Sequence, residues 1–207
     1  MDQIDAILYI NLDQRTDRRE HLEAEFKRMK IPVEKIHRVS AIKNANGALG
    51  CTLSHIKCLK MVQDNPDWNT VMIMEDDYTF KGTTYSDFND PLRNFFEKQS
   101  EWHVLLPSYN HWNAQTVDTK NRGIKKVRYS QTTSSYVFKR PYLERLQQNF
   151  RGSAEGLMRN GKTPQFCLDI NWTRLQKEDD WYLLVPALGF QYDNFSDIEG
   201  RVVRYGC

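Results

Sequence analysis

From Ile4 to Leu12 the chain is apolar and rich in β-branched and aromatic residues, bounded by Asp2 and Asp13, the pattern of a strand buried on both faces. The period then lengthens. Leu22, Phe26 and Met29 fall on one stripe of a helix that opens with Thr16 as N-cap, runs to about Lys30 and ends before Pro32. The alternation continues with a strand over Val33 to Val39. A helix follows over roughly Cys51 to Gln63, with Leu53, Ile56, Leu59 and Val62 as its apolar face, and then a short buried strand, Val71 to Met74. Further strands are expected at Trp102 to Leu106, Lys125 to Tyr129, Ser134 to Phe138 and Trp181 to Val185. Pro141 to Phe150 reads as a helix with proline in its first turn. There is no internal repeat. Alternating elements in 207 residues, 40% of them apolar, predict an α/β domain spanning residues 1–207, with a mostly parallel central sheet flanked by helices. The same pattern serves a whole protein or one domain of a longer one.

Charge changes this picture little. Twenty-nine basic against 27 acidic side chains leave a formal charge of +2, so no global field draws the protein to nucleic acid or an anionic membrane, and a charged ligand must be handled locally. No apolar run approaches the about 18 residues of a membrane span, and the acidic start, Met1 to Asp5, is unlike a signal peptide. A cytoplasmic chain is expected, with Cys51, Cys58, Cys167 and Cys207 as reduced thiols. The sequons at Asn171 and Asn194 are then chance matches.

Sheets of this kind bind ligands beyond the carboxyl ends of their strands. There, Val71 to Met74 runs directly into Glu75, Asp76 and Asp77. Unpaired carboxylates at a buried strand end are costly, so a cation is expected. Alternation puts Glu75 and Asp77 on one side, two hard oxygen ligands suited to Mn²⁺ or Mg²⁺ with phosphate oxygens completing the shell. The plainer alternative is an acidic turn that merely ends the strand. No Walker loop or G-x-G-x-x-G is present, so metal and basic side chains would have to hold any phosphate, and Arg15, Arg18 and Arg19 follow the first strand directly. Cys51, His55 and Cys58 share a helical face, but no fourth ligand stands at zinc-site spacing and helix cysteines are commonly inert. The basic stretch Lys120 to Arg128 reads as a solvated loop or, alternatively, a surface for an anionic acceptor.

Four segments in order, Tyr9 to Arg19, Gly50 to His55, Met74 to Asp77, and Gln191 with Ser196-Asp197-Ile198, resemble glycosyltransferase family 25. That family includes lipooligosaccharide glycosyltransferases, collagen galactosyltransferases and enzymes of large DNA viruses. This short form is similar to an algal-virus domain, whose setting would be the host cytoplasm. The resemblance implies a GT-A fold and a divalent metal. It also implies transfer of a hexose or deoxyhexose from a nucleotide donor, usually a UDP-sugar, to a glycan or glycoprotein acceptor. By matching position it implies Asn11, Arg15, Arg18 and Ser40 near the nucleotide, and Ser54, His55 and Lys57 facing donor or phosphate. Asp76, Gln191 and Asp197 also belong to the donor side. Asp77 would ligate the metal directly, with Glu75 at the ribose or a metal-bound water. An inverting reaction needs a base, for which Asp169 is the candidate, the plainer alternative being a helix-start aspartate; Asp193 and Asp197 compete for that role or could supply a second metal contact. The strand at Ser134 to Phe138 follows the family pattern only loosely. Two other functions stay open: a sugar-nucleotide nucleotidyltransferase, against which the missing glycine- and lysine-rich loop counts, and an inactive nucleotide-sugar or glycan binding module.

Overall fold

A computed structural model of the chain describes residues 2–204; Cys207 lies outside them. The twelve strands are β1 (Ala6–Asn11), β2 (Ile36–Ser40), β3 (Thr70–Glu75), β4 (Tyr78–Phe80), β5 (Val104–Leu106), β6 (Gln115–Asp118), β7 (Ile124–Tyr129), β8 (Ser135–Lys139), β9 (Trp181–Leu184), β10 (Gly189–Gln191), β11 (Asn194–Ser196) and β12 (Arg201–Val203). The helices are α1 (Thr16–Arg28), α2 (Gly47–Asp64), α3 (Tyr85–Lys98), α4 (Leu143–Asn160), α5 (Leu168–Asn171) and α6 (Thr173–Glu178).

The expected α/β, GT-A-type architecture is the one observed, a central eight-stranded sheet in the order β2-β1-β3-β8-β5-β9-β7-β6 flanked by helices. Parallel pairing joins β2, β1 and β3, and again β5 and β9; β8 enters antiparallel between β3 and β5, and β7 and β6 are antiparallel at the edge, so the sheet is mixed. The carboxyl ends of β1, β2 and β3 lie together on one rim.

Strand alternation divides the core. Ala6, Leu8, Ile10, Val71 and Ile73 face α2 and α4, meeting Cys58, Leu59, Val62, Leu146 and Phe150. Ile7, Tyr9, Met72 and Met74 face α1 and α3, meeting Leu22, Phe26, Phe88, Leu92 and Phe95. Glu75, next in phase after Val71 and Ile73, is thereby aimed at α2.

Several boundaries differ from the sequence reading. Thr16 is the first helical residue of α1 rather than its cap, Arg15 taking the cap position without a side-chain bond. Val33–Lys35 forms a 3₁₀ turn, so the second strand starts at Ile36. Asn46 caps α2 through the Leu49 amide, starting it a turn before Cys51. The basic stretch after Lys120 is partly β7, and Lys126 pairs with Asp180 at 2.6 Å. The helix α3, with Pro91 inside it, is not among the elements the sequence reading expects; a Thr84/Asp87 capping box and burial of Phe88, Leu92 and Phe95 at helical spacing hold it.

The pair β4–β10 positions Gln191 over the carboxylates, with Gly189 opposite Phe80. A Cβ at Gly189 would stand 2.1 Å from the Tyr78 ring, which is wholly buried. Gly189→Ala is therefore expected to cost about 1–3 kcal/mol, read as a lowered urea midpoint. An unchanged midpoint would mean that the ring moves aside freely.

Candidate functional site

The acidic segment leaves β3 at the rim, and each carboxylate meets a different neighbour. Asp76 is fully engaged: Arg18 Nη1 lies 2.8 Å from one oxygen and Asn11 Nδ2 donates to the other at 2.7 Å. Asn11 is itself sealed, its side-chain oxygen accepting from Arg38 Nε at 3.0 Å. These residues build the rim, and Asp76 anchors it. Arg18 also reaches Asp77 at 3.3 Å and the Phe195 carbonyl at 3.0 Å, and it bonds Asn194. It thus ties the start of α1 to the strand end and to β11.

Gln191 Nε2 donates to Glu75 Oε2 at 3.3 Å and to Asp77 Oδ1 at 3.1 Å, so the two carboxylates face a common point. Their electrostatics diverge. Burial pushes Asp77 up to about 7; Arg18 opposes this, while the charges of Glu75 and Asp76 add to it. Burial also lifts Glu75, but His55, the Thr133 hydroxyl at 2.6 Å and Arg18 outweigh it and hold Glu75 below its ordinary value. Asp76 is raised, by burial against the pull of Arg18 and Asn11. Acidic charge therefore exceeds the nearby basic charge at the point between Glu75 and Asp77, the condition under which a hard divalent cation is favoured.

A groove of about 240 Å³ opens on this point, bordered by Arg18, Ser54, Asp76, Asp77, Gln191 and Asp197 among others. Ser54 is spent on the backbone, accepting from the Ile42 amide at 2.8 Å and donating to the Gly50 carbonyl at 2.7 Å, which fixes the loop before α2 against the groove. Arg15 lies at the rim, paired with Asp17 at 2.8 Å and Asp197 at 2.5 Å. Ser40 and Lys57 are not gathered with the carboxylates: Lys57 donates to the Ser40 carbonyl at 2.9 Å and the Ser40 hydroxyl binds Asp13 at 2.8 Å. His55 is wholly buried at the inner wall of the groove, where it meets Tyr136 and Glu75. Asp193 pairs with the exposed Arg204 at 3.1 Å.

A second chamber of about 260 Å³ shares Glu75 and Gln191 with the groove and contains Asp169, Asn110, Gln131 and Thr132. Burial raises the Asp169 carboxyl, the Thr132 amide at 3.3 Å lowers it, and the charge of Glu75 raises it further. Thr132 is the residue the sequence did not reveal. It is β-branched yet holds φ of +77°, a strained conformation kept by its amide bond to Asp169 and its hydroxyl bond to Gln191 at 2.8 Å. The next residue, Thr133, binds Glu75, so the 131–133 loop connects Asp169 to the acidic pair. A Gln-Thr-Thr run between strands carries no sequence signal for this role.

The family model described as glycosyltransferase family 25 (LPS biosynthesis protein) matches residues 40–159, more than half of the chain. The protein belongs to glycosyltransferase family 25. The matched region contains α2, β3 and the whole acidic segment, while Asn11, Arg15, Arg18, Asp169, Gln191 and Asp197 lie outside it. No curated protein matches the chain. Among solved structures, A197 from STIV is 13% identical and aligns over 97% of this chain and 93% of its own with a TM-score of 0.54, a likeness of fold. A glycosyltransferase involved in the glycosylation of the major capsid of PBCV-1 is 8% identical and aligns over 87% of this chain and 93% of its own with a TM-score of 0.48. As a member of its family this glycosyltransferase is a sugar-transferring enzyme. Among its described residues no helix is long and apolar enough to cross a membrane.

Proposed function

We propose that this family 25 enzyme transfers a hexose or deoxyhexose from a nucleoside diphosphate sugar, most readily a UDP-sugar, to a hydroxyl of a glycan or glycoprotein, with Mn²⁺ or Mg²⁺ at Asp77 and Glu75. The observation that carries this reading is the convergence of the buried Asp77 and the partly buried Glu75 on Gln191 beside a single guanidinium, Arg18. The acidic surplus and all-oxygen donor set suit a hard ion that brings diphosphate oxygens with it. When bound, such an ion stabilises the charge that develops on the departing diphosphate.

The protein's own residues supply the rest. Arg18 and Asn11 lock Asp76 and so fix the direction in which Asp77 leaves the strand. Arg15 and Asp197 close the nucleotide end of the groove as a pair. Asp169 lines the chamber that shares Glu75 with the groove, which supports reading it as the base that takes the acceptor's proton. The acceptor oxygen bonds to the anomeric carbon as the bond to the diphosphate breaks, the proton passes to the Asp169 carboxylate, and the anomeric configuration inverts. Burial raises its pKa and so makes Asp169 a stronger base. The chain is read as one such domain, acting in the cytoplasm.

Calorimetric titration with a panel of UDP- and GDP-sugars, each with Mn²⁺ and with EDTA, tests the donor site. Metal-dependent binding of a uridine donor is the expected result. A complete lack of binding in both buffers would overturn the donor assignment and favour a glycan-binding module.

A further inference from the structure

On the α2 side of Glu75, away from Asp77, lies a second cluster of potential metal ligands. Cys51 and His55 stand one turn apart on α2, and Glu75 continues the sheet face packed against that helix. One ligand atom from each of the three lies within 4.8 Å of the others, and His55 Nε2 is 3.4 Å from Glu75 Oε1. The imidazole is fully buried, with Nδ1 3.1 Å from the Tyr136 hydroxyl, whereas Nε2 makes no hydrogen bond. A buried polar nitrogen without a hydrogen bond is costly, and this one lies beside a carboxylate and a thiol.

We propose that Cys51, His55 and Glu75 form a site for a borderline-soft divalent cation of the Zn²⁺ and Co²⁺ class, adjacent to the hard-ion position at Asp77 and sharing Glu75 with it through its other carboxylate oxygen. The donor set is one sulfur, one nitrogen and one oxygen, whose two negative charges neutralise the ion once the thiol is deprotonated. Metal–ligand distances of about 2.0–2.3 Å in a tetrahedron set ligand atoms roughly 3.3–3.7 Å apart. The His55–Glu75 separation already meets this, and the Cys51 sulfur, within 4.8 Å of both, needs only a turn of its side chain to do so.

The surroundings also fit. A proton on Nδ1, donated to the Tyr136 oxygen, leaves the lone pair on Nε2 and fixes the ring, as partners of metal-bound histidines do. Thr133 holds the same Glu75 oxygen at 2.6 Å, and the groove, which all three residues border, gives an ion its path inward. Cys58, buried in the core, is outside the cluster, so the grouping differs from the Cys51, His55 and Cys58 trio visible in the sequence. The site requires no nucleotide sugar and stands or falls independently of the donor reading.

The test is a titration of the metal-stripped full chain with Co²⁺, followed by visible absorption. A thiolate-to-cobalt charge-transfer band and the intense d–d bands of a four-coordinate ion are expected, saturating at one equivalent and erased by Zn²⁺. Cys51→Ser, and equally Cys51→Ala, should remove the charge-transfer band while circular dichroism shows a native fold. Cys58→Ser, Cys167→Ser and Asp77→Asn should retain it. A weak six-coordinate spectrum without that band, or a band that survives both Cys51 variants, would overturn the proposal.

Discussion

Asp77→Asn is expected to lower Mn²⁺-dependent binding of a UDP-sugar by at least about 100-fold if the proposed metal site is right, since it would remove a direct ligand and not merely a supporting contact. The same change should make the metal-free protein more stable above neutral pH. Burial, with Glu75 and Asp76 nearby, raises the Asp77 carboxyl from an ordinary 3.8 to about 7. As pH rises through the ordinary value, the unfolded chain gives up this proton while the folded chain keeps it. The folded state is therefore penalised increasingly across that window, and fully once pH exceeds the folded value. A tenfold change in an ionisation constant corresponds to about 1.4 kcal/mol, so the penalty is on the order of a few kcal/mol, shared with the carboxylates that titrate together with Asp77. Asparagine has nearly the same shape and no charge to desolvate. Scanning calorimetry at pH 8 in EDTA should thus show the variant melting above the wild type, with the gap closing as pH falls toward the ordinary carboxylate range. A variant that melts lower at pH 8 would show that Asp77 is already compensated in the metal-free protein and calls for no cation. The raised Asp77 value also predicts that wild-type Mn²⁺ affinity falls by about tenfold per pH unit below 7, because the ion must displace the Asp77 proton.

The second large effect belongs to the other chamber. Asp169→Asn should lower kcat by about 10²- to 10⁴-fold, the range for loss of a positioned general base, while the donor affinity measured by calorimetry stays as in wild type. The amide still accepts the Thr132 N–H, so the loop that ties this chamber to Glu75 keeps its anchor. In the wild type the acid limb of the kcat profile should lie above the ordinary carboxylate range, following the upward shift that burial gives Asp169, and the variant should lose that limb. Unchanged turnover in Asp169→Asn would exclude this residue as the base, and retention of anomeric configuration in the product would remove the need for one.

Much of this site could be read before folding. The run from Val71 to Met74 into three carboxylates locates the acidic rim, and strand alternation puts Glu75 and Asp77 on one side, where Gln191 meets both. What alternation cannot give is the fate of each group. Asn11 and Ser54, expected at the donor, are spent on Asp76 and on the Ile42 and Gly50 backbone. His55 shares a helical face with both cysteines, yet the fold sends it to Tyr136 and Glu75 and leaves Cys58 in the core.

Local periodicity records which face of an element is buried, and so the sequence by itself determined the α/β class, the main strands and helices, and the strand end at which the carboxylates gather. It did not determine which strands lie side by side. Antiparallel β8 enters between β3 and β5, Gln191 reaches Glu75 across 116 residues, and Arg15 meets Asp197 across 182. Such partners are selected by sheet order and by competition for burial among all segments at once. Only the tertiary structure could set the Thr132 backbone in its strained turn and divide the rim into a groove and a chamber that share Glu75 and Gln191.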